Sequence, residues 1–152
     1  LTLSACAEIA GGRLTGRATD EEADLVHGVT LGSRSVVPGD LYAALPGANA
    51  HGADFARQAV GSGAVAILTD ETGAEKVLAA GMSLPLVVVA DPRSVLGAVS
   101  AGVYGTGDLA LRMIGVTGTN GKTTTAYLIA SALGALGRQV GLIGTVETRI
   151  GS

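Results

Sequence analysis

At 152 residues, with 47% apolar and 15% charged side chains, the chain has material for a packed core and none of the polar bias of a disordered segment. Aromatics are only 3% while Gly numbers 24, so the core must be built from Val, Leu, Ile and Ala, which suits α/β layering. A net charge of −3 argues against nucleic acid or an anionic membrane surface as the main partner, and no apolar run is long enough to span a membrane as a helix.

Residues 1–10 place Leu3, Cys6, Ala7 and Ala10 on one helical face, with Thr2 or Ser4 as cap and Gly11-Gly12 as the stop. Cys6, the single cysteine, reads as a small core residue and fits a reducing compartment. No charged n-region followed by an apolar h-region opens the chain, so a cytoplasmic protein is expected. A start at Leu1 without Met and a stop at Ser152 just after a strand suggest a piece of a longer chain.

Residues 13–19 alternate weakly, and Asp20-Glu21-Glu22 reads as a solvated loop. A strand is expected over 25–31, then the loop Gly32-Ser33-Arg34-Ser35, the turn Pro38-Gly39-Asp40 and a second apolar run over 41–45. A second loop, 46–52, leads into a helix over about 53–60, where His51 reads as a capping or solvated side chain. Strand and helix then alternate: 64–68, a short helix near 74–80, a strand over 84–89, and a helix over 92–104 opened by Asp91 as cap with Pro92 at its first position. These runs are apolar without clean alternation, as expected for strands covered on both faces.

Gly105-Thr106-Gly107-Asp108 breaks the pattern, dividing the chain into domains 1–107 and 108–152. Beyond it a short apolar run, Leu111, Met113, Ile114 and Val116, reads as a strand, and Ala126, Leu128, Ile129, Ala132, Leu133 and Leu136 recur at helical spacing. Between them stands Gly118-Thr119-Asn120-Gly121-Lys122-Thr123-Thr124. Gly118 and Gly121 permit positive φ, successive N–H groups converge at a helix N-terminus, Lys122 adds a cation, and the Thr123 hydroxyl is placed for Mg²⁺. The motif is a shortened Walker A, with Val116 where the general pattern has Gly; on its residues alone it suits ATP or GTP, against the bland reading of an ordinary helix start. With the strand over 140–143, this makes the first βαβ crossover of a doubly wound sheet, too little to bury both its faces alone.

Two separated stretches resemble one family. The loop from Thr117 to Thr125, followed by Gly141-Leu142-Ile143-Gly144-Thr145, is similar to the ATP-binding region of the Mur ligases of peptidoglycan synthesis. Val29-Thr30-Leu31-Gly32-Ser33-Arg34, the stretch Pro38-Gly39-Asp40-Leu41-Tyr42-Ala43-Ala44-Leu45-Pro46-Gly47 and His51-Gly52 resemble the UDP-binding domain of the same family. The triple threonine after Lys122 and the Gly-Leu-Ile-Gly-Thr strand sit closest to the MurE branch.

The resemblance implies a small mixed α/β uridine-binding domain followed by the start of a P-loop ATPase-like central domain. It implies an ATP-dependent amide ligase that joins a diamino acid, meso-diaminopimelate or L-lysine, to UDP-MurNAc-L-Ala-D-Glu through an acyl phosphate. ATP and Mg²⁺ are the implied cofactors, held by Gly118, Thr119, Asn120, Gly121, Lys122, Thr123 and Thr124, with Lys122 catalytic on the phosphates and Thr123 on the metal. Leu31, Ser33, Ala48, Asn49 and Ala50 are the implied substrate contacts. Where the family usually has Asp-Ser-Arg, this chain has Gly32-Ser33-Arg34. The full-length enzyme is expected to be a monomer, and these 152 residues alone to be inactive as a ligase. The alternatives are a MurF-like ligase adding D-Ala-D-Ala and a non-catalytic nucleotide-binding module.

Overall fold

The computed structural model describes residues 1–16 and 25–151, so the Asp20-Glu21-Glu22 run lies outside the described residues. The chain divides into two compact units, 1–109 and 110–152.

In the first unit, α1 (Leu3–Ala10) begins at Thr2, whose side chain accepts from Ala5 N, and stops at Gly11, which turns the chain at φ 60°. The sheet follows, with β1 (Arg13–Thr15), β2 (Gly28–Thr30), β3 (Asp40–Ala43), β4 (Ala66–Thr69) and β5 (Leu86–Val88) in the order β1-β5-β4-β3-β2. β2, β3, β4 and β5 are mutually parallel, and β1 closes one edge antiparallel to β5. Between β3 and β4 run a 3-10 turn (Gly52–Phe55) and α2 (Ala56–Gly61); α3 (Glu71–Ala79) joins β4 to β5, and α4 (Pro92–Tyr104) ends the unit.

The period-two geometry of a strand explains why these runs carry no polar face. Leu41, Ala43, Ala66, Leu68, Val87 and Val89 point to one side and pack with α1 and Val99 of α4; Tyr42, Ala44, Ile67, Leu86 and Val88 point to the other and pack with Ala56, Ala59, Ala74 and Val77 of α2 and α3. Both faces of the sheet are therefore core. The free side of β2 is met by the Tyr104 hydroxyl, which accepts from Val29 N at 3.1 Å and so occupies a group that an exposed edge would offer to another strand.

Cys6 lies in this core with no exposure, and burial pushes its thiol up from the ordinary cysteine range. Because the thiolate is the reactive form, the native protein is expected to resist iodoacetamide near neutral pH and to react promptly once denatured. Labelling followed by mass spectrometry checks this; rapid native labelling would place Cys6 outside the core.

The second unit holds α5 (Lys122–Ala135) and an antiparallel ribbon of β6 (Gly141–Ile143) and β7 (Thr148–Ile150), turned by a bond from Gly144 N to Glu147 O. Here the structure departs from the sequence reading in two respects. Residues 111–116 are not a strand, and β6 pairs antiparallel with β7 rather than in parallel with a preceding strand. A parallel strand exists only through its neighbours, and the unit's described residues offer none beside 111–116. Leu111, Met113 and Ile114 are consequently exposed, Met113 at 84%. Only Ala130 of α5 is buried, which leaves the helix's apolar positions largely uncovered within this unit.

Candidate functional site

The candidate phosphate loop, 118–124, is built as its residue types require. Gly118 stands at φ 147° and Gly121 at φ 77°, both in the region that favours glycine, and a Cβ at Gly121 would meet nothing within 4 Å. Gly121 is also the N-cap of α5 and supplies no side chain, so the first N–H groups of a 14-residue helix stay open to an anion. Lys122 folds back over the loop, its Nζ donating to Gly118 O at 2.6 Å and to Thr119 O at 3.4 Å. Thr119, Asn120, Thr123 and Thr124 are exposed beside it.

This arrangement fits a polyphosphate: open backbone donors, an exposed ammonium and a hydroxyl on the first helical turn. It fits Mg²⁺ of the kind that takes most of its ligands from phosphate and water, since the Thr123 hydroxyl is a single oxygen ligand and no cluster of three His, Cys, Asp or Glu suited to a metal occurs among the described residues.

In the first unit, parallel pairing puts two loops at one end of the sheet. β2 pairs with β3 in register Gly28 to Asp40 and Thr30 to Tyr42, so residues 31–35 and 44–52 leave the C-terminal ends of adjacent strands. That is the end at which parallel α/β sheets bind ligands. Leu31 is exposed; Ser33 is half-buried and donates to Gln58 Oε1 at 2.8 Å. The 31–35 turn is closed by Gly32 N on Thr30 Oγ1 at 3.3 Å and Ser35 N on Gly32 O at 2.9 Å. Ala48, Asn49 and Ala50 are exposed in a loop pinched by Gly47 N on Ala50 O at 3.1 Å.

His51 ends that loop as a cap. Its Nδ1 accepts from Ala53 N at 3.0 Å, which fixes the proton on Nε2, and Nε2 donates to Asp70 Oδ1 at 3.0 Å. Both ring nitrogens are committed, so His51 is neither a free base nor a metal ligand. Asp54 completes the capping box by accepting from His51 N, and Lys76 Nζ donates to Asp54 Oδ1 at 2.6 Å. The Lys76 bond, then the His51 N–H, hold the Asp54 carboxyl below its ordinary range. Asp70 is a partner that sequence reasoning misses; a lone Asp before a helix signals a cap, which it is for Gly73 N at 2.8 Å, and nothing local ties it to His51. The wide cleft beside β1, where Arg13 and Glu71 pair at 3.0 Å, contains none of the expected site residues.

Residues 25–104 match the family described as Mur ligase family, catalytic domain, and residues 116–152 match the Mur ligase middle domain. The chain belongs to the Mur ligase family. Over 145 residues it is 57% identical to UDP-N-acetylmuramoyl-L-alanyl-D-glutamate--2,6-diaminopimelate ligase of Streptomyces avermitilis, a match covering 95% of this chain and 28% of that one. UDP-N-acetylmuramyl-tripeptide synthetase of Leifsonia xyli is 55% identical over 126 residues, covering 83% of this chain and 24% of the relative. A solved structure of a UDP-N-acetylmuramoyl-L-alanyl-D-glutamate--2,6-diaminopimelate ligase superposes with TM-score 0.66 at 26% identity, over 99% of this chain and 29% of that one. MurF from Acinetobacter baumannii superposes at 0.67 with 24% identity over 96% of this chain and 30% of that one, a likeness of fold alone. This Mur ligase chain thus spans between 24% and 28% of the curated relatives' length.

Gly32 has a visible setting: a Cβ there would lie 3.1 Å from Ser35 Oγ, a contact that rotation of the serine relieves. The loop's turn is made by Thr30 and Ser35, so its shape does not depend on a side chain at position 32.

Proposed function

We propose that these residues are the UDP-binding domain and the opening of the ATP-binding domain of an ATP-dependent ligase that adds a diamino acid to UDP-MurNAc-L-Ala-D-Glu in peptidoglycan synthesis. The observation that carries this is the open, glycine-built phosphate loop at the head of α5, in a chain whose relatives are named as ligases of that substrate. Diaminopimelate, the amine in the Streptomyces relative's name, is the expected second substrate.

When bound, ATP supplies the phosphoryl group that activates the substrate carboxylate, and Mg²⁺ screens the phosphate charge. The residues from Gly118 to Thr124 would cradle the phosphates through their N–H groups, Lys122 would leave the loop carbonyls for the phosphate oxygens, and the Thr123 hydroxyl would ligate the metal. Leu31, Ser33, Ala48, Asn49 and Ala50 would contact the uridine end of the substrate. The domain boundary is read at 107/108, the enzyme as a cytoplasmic monomer, and the 152-residue piece as inactive by itself. Among the described residues no helix is long and apolar enough to cross a membrane.

The test is phosphate release by the full-length protein with ATP, UDP-MurNAc-dipeptide and either diaminopimelate or L-lysine, beside a control with UDP-MurNAc-tripeptide and D-Ala-D-Ala. Turnover confined to the control would reassign the chain to the dipeptide-adding reaction. Within this reading, Ser33→Ala is expected to raise KM for the UDP substrate several-fold, by about 1 kcal/mol of lost hydrogen bonding, with kcat unchanged, because the contact is the same in ground and transition states. Steady-state kinetics checks it, and an unchanged KM removes Ser33 from the site.

A further inference from the structure

The two loops expected to take the uridine are tied together by one short helix. Residues 46–52 run through the His51-capped turn into α2, and Gln58 on the exposed side of α2 reaches back to accept the Ser33 hydroxyl at 2.8 Å. α2 is itself anchored: Ala56 and Ala59 have no exposure, and Arg57 Nη2 donates to Ala80 O at 2.8 Å. The Gln58 amide therefore extends from fixed backbone.

A serine hydroxyl has one proton and two lone pairs. With the proton given to Gln58 Oε1, Ser33 presents only acceptor capacity on its remaining side. A bond between two side chains this accessible adds little to folding, because water serves both partners in the unfolded chain. Its effect falls on what the loop offers a ligand.

We propose that Gln58 is a positioning residue of the uridine subsite: by taking the Ser33 proton it orients that oxygen as a fixed acceptor, so the nucleotide group read by Ser33 is a hydrogen-bond donor, the imide N–H of the base or a ribose hydroxyl. This rests on the uridine reading of residues 31–35. Gln58 acts only through Ser33.

The test is a double-mutant cycle in the full-length ligase with Ser33→Ala, Gln58→Met, which keeps the stem and removes the acceptor, and the pair. Each single variant is expected to raise KM for UDP-MurNAc-dipeptide about three- to tenfold with kcat and the KM for ATP unchanged, and the double variant to be no worse than Ser33→Ala alone. Additive effects, or an unchanged KM in Gln58→Met beside a raised one in Ser33→Ala, overturn the proposal and leave the uridine site standing. An unchanged KM in Ser33→Ala overturns the site and the proposal with it. Competition by UDP, 3-methyl-UDP and the 2′- and 3′-deoxy-UDP analogues separates the donors: the analogue lacking the recognised donor binds the wild type more weakly than UDP does, yet binds Ser33→Ala as well as UDP. Equal binding of all four to the wild type overturns the acceptor assignment.

Discussion

Lys122→Ala in the full-length protein is expected to lower the kcat of the proposed ligase reaction at least about a hundredfold, the scale on which one preorganised donor to a developing negative charge acts. The geometry gives the reason. Lys122 is the cation of the loop: its ammonium reaches Gly118 O and Thr119 O from the first residue of α5, and the loop's other groups are neutral N–H donors and hydroxyls. Truncation removes the charge while leaving the glycine conformations and the helix start intact, so ATP binding should weaken far less than turnover. Single-turnover phosphate release, set beside nucleotide binding by calorimetry, checks the split. Wild-type turnover would sink the nucleotide reading of the loop.

Gly73→Ala is expected to destabilise the first unit by about 2–4 kcal/mol, in the direction opposite to helix propensity. Gly73 lies inside α3, where exchanging glycine for alanine ordinarily stabilises by about 0.5–1 kcal/mol. A Cβ there would overlap Thr69 Oγ1 and stand 2.6 Å from His51 Cε1. Neither neighbour is free to yield. Thr69 is fully buried and donates to Ala44 O at 2.9 Å, and His51 is held at both ring nitrogens. A shift of Thr69 breaks a buried hydrogen bond and a shift of His51 breaks part-buried ones, and displacing His51 also moves the 46–52 loop, so under the proposed uridine reading KM for the UDP substrate should rise as stability falls. Gly97→Ala in α4 is the control: no atom stands within 4 Å of its Cβ, and it should gain about 0.5–1 kcal/mol. Urea melts of the three proteins decide it; a Gly73→Ala variant as stable as Gly97→Ala would mean that the packing of Thr69 and His51 is slack.

Elements with local punctuation are legible in the sequence. α4 runs over Pro92–Tyr104 as expected, because Asp91 caps Arg93 N and Ser94 N, Pro92 pre-sets the first turn and Gly105 at φ 63° ends it. The caps of α1 are equally local. Strand limits are not. The runs 25–31 and 84–89 shrink to Gly28–Thr30 and Leu86–Val88, because a strand ends where its partner's hydrogen bonds end and an apolar run does not record that. The helix expected from 53 opens instead as a 3-10 turn set by the His51 and Asp54 box, with the α-helix proper starting at Ala56.

The candidate site divides in the same way. The phosphate loop is visible because glycine φ, helix start, lysine and hydroxyls lie within seven consecutive residues, and backbone sterics tie those residue types to that shape. The partnerships of Ser33 with Gln58 and of His51 with Asp70 cross 25 and 19 residues, and no spacing rule encodes a contact that depends on how α2 and α3 dock on the sheet.

The sequence by itself determined the alternation of strands and helices, the caps and glycine stops, the phosphate loop and the family resemblance, all of which rest on near-neighbour sterics and hydrogen bonding. The tertiary structure alone decided which strands pair, that the loops 31–35 and 44–52 leave one end of the sheet, that both ring nitrogens of His51 are hydrogen-bonded, that a Cβ at Gly73 would meet Thr69 and His51, and that 111–116 is no strand within its unit. Those outcomes follow from packing and from pairing between distant segments, where each group's energy depends on a partner that its own neighbourhood in the chain does not specify.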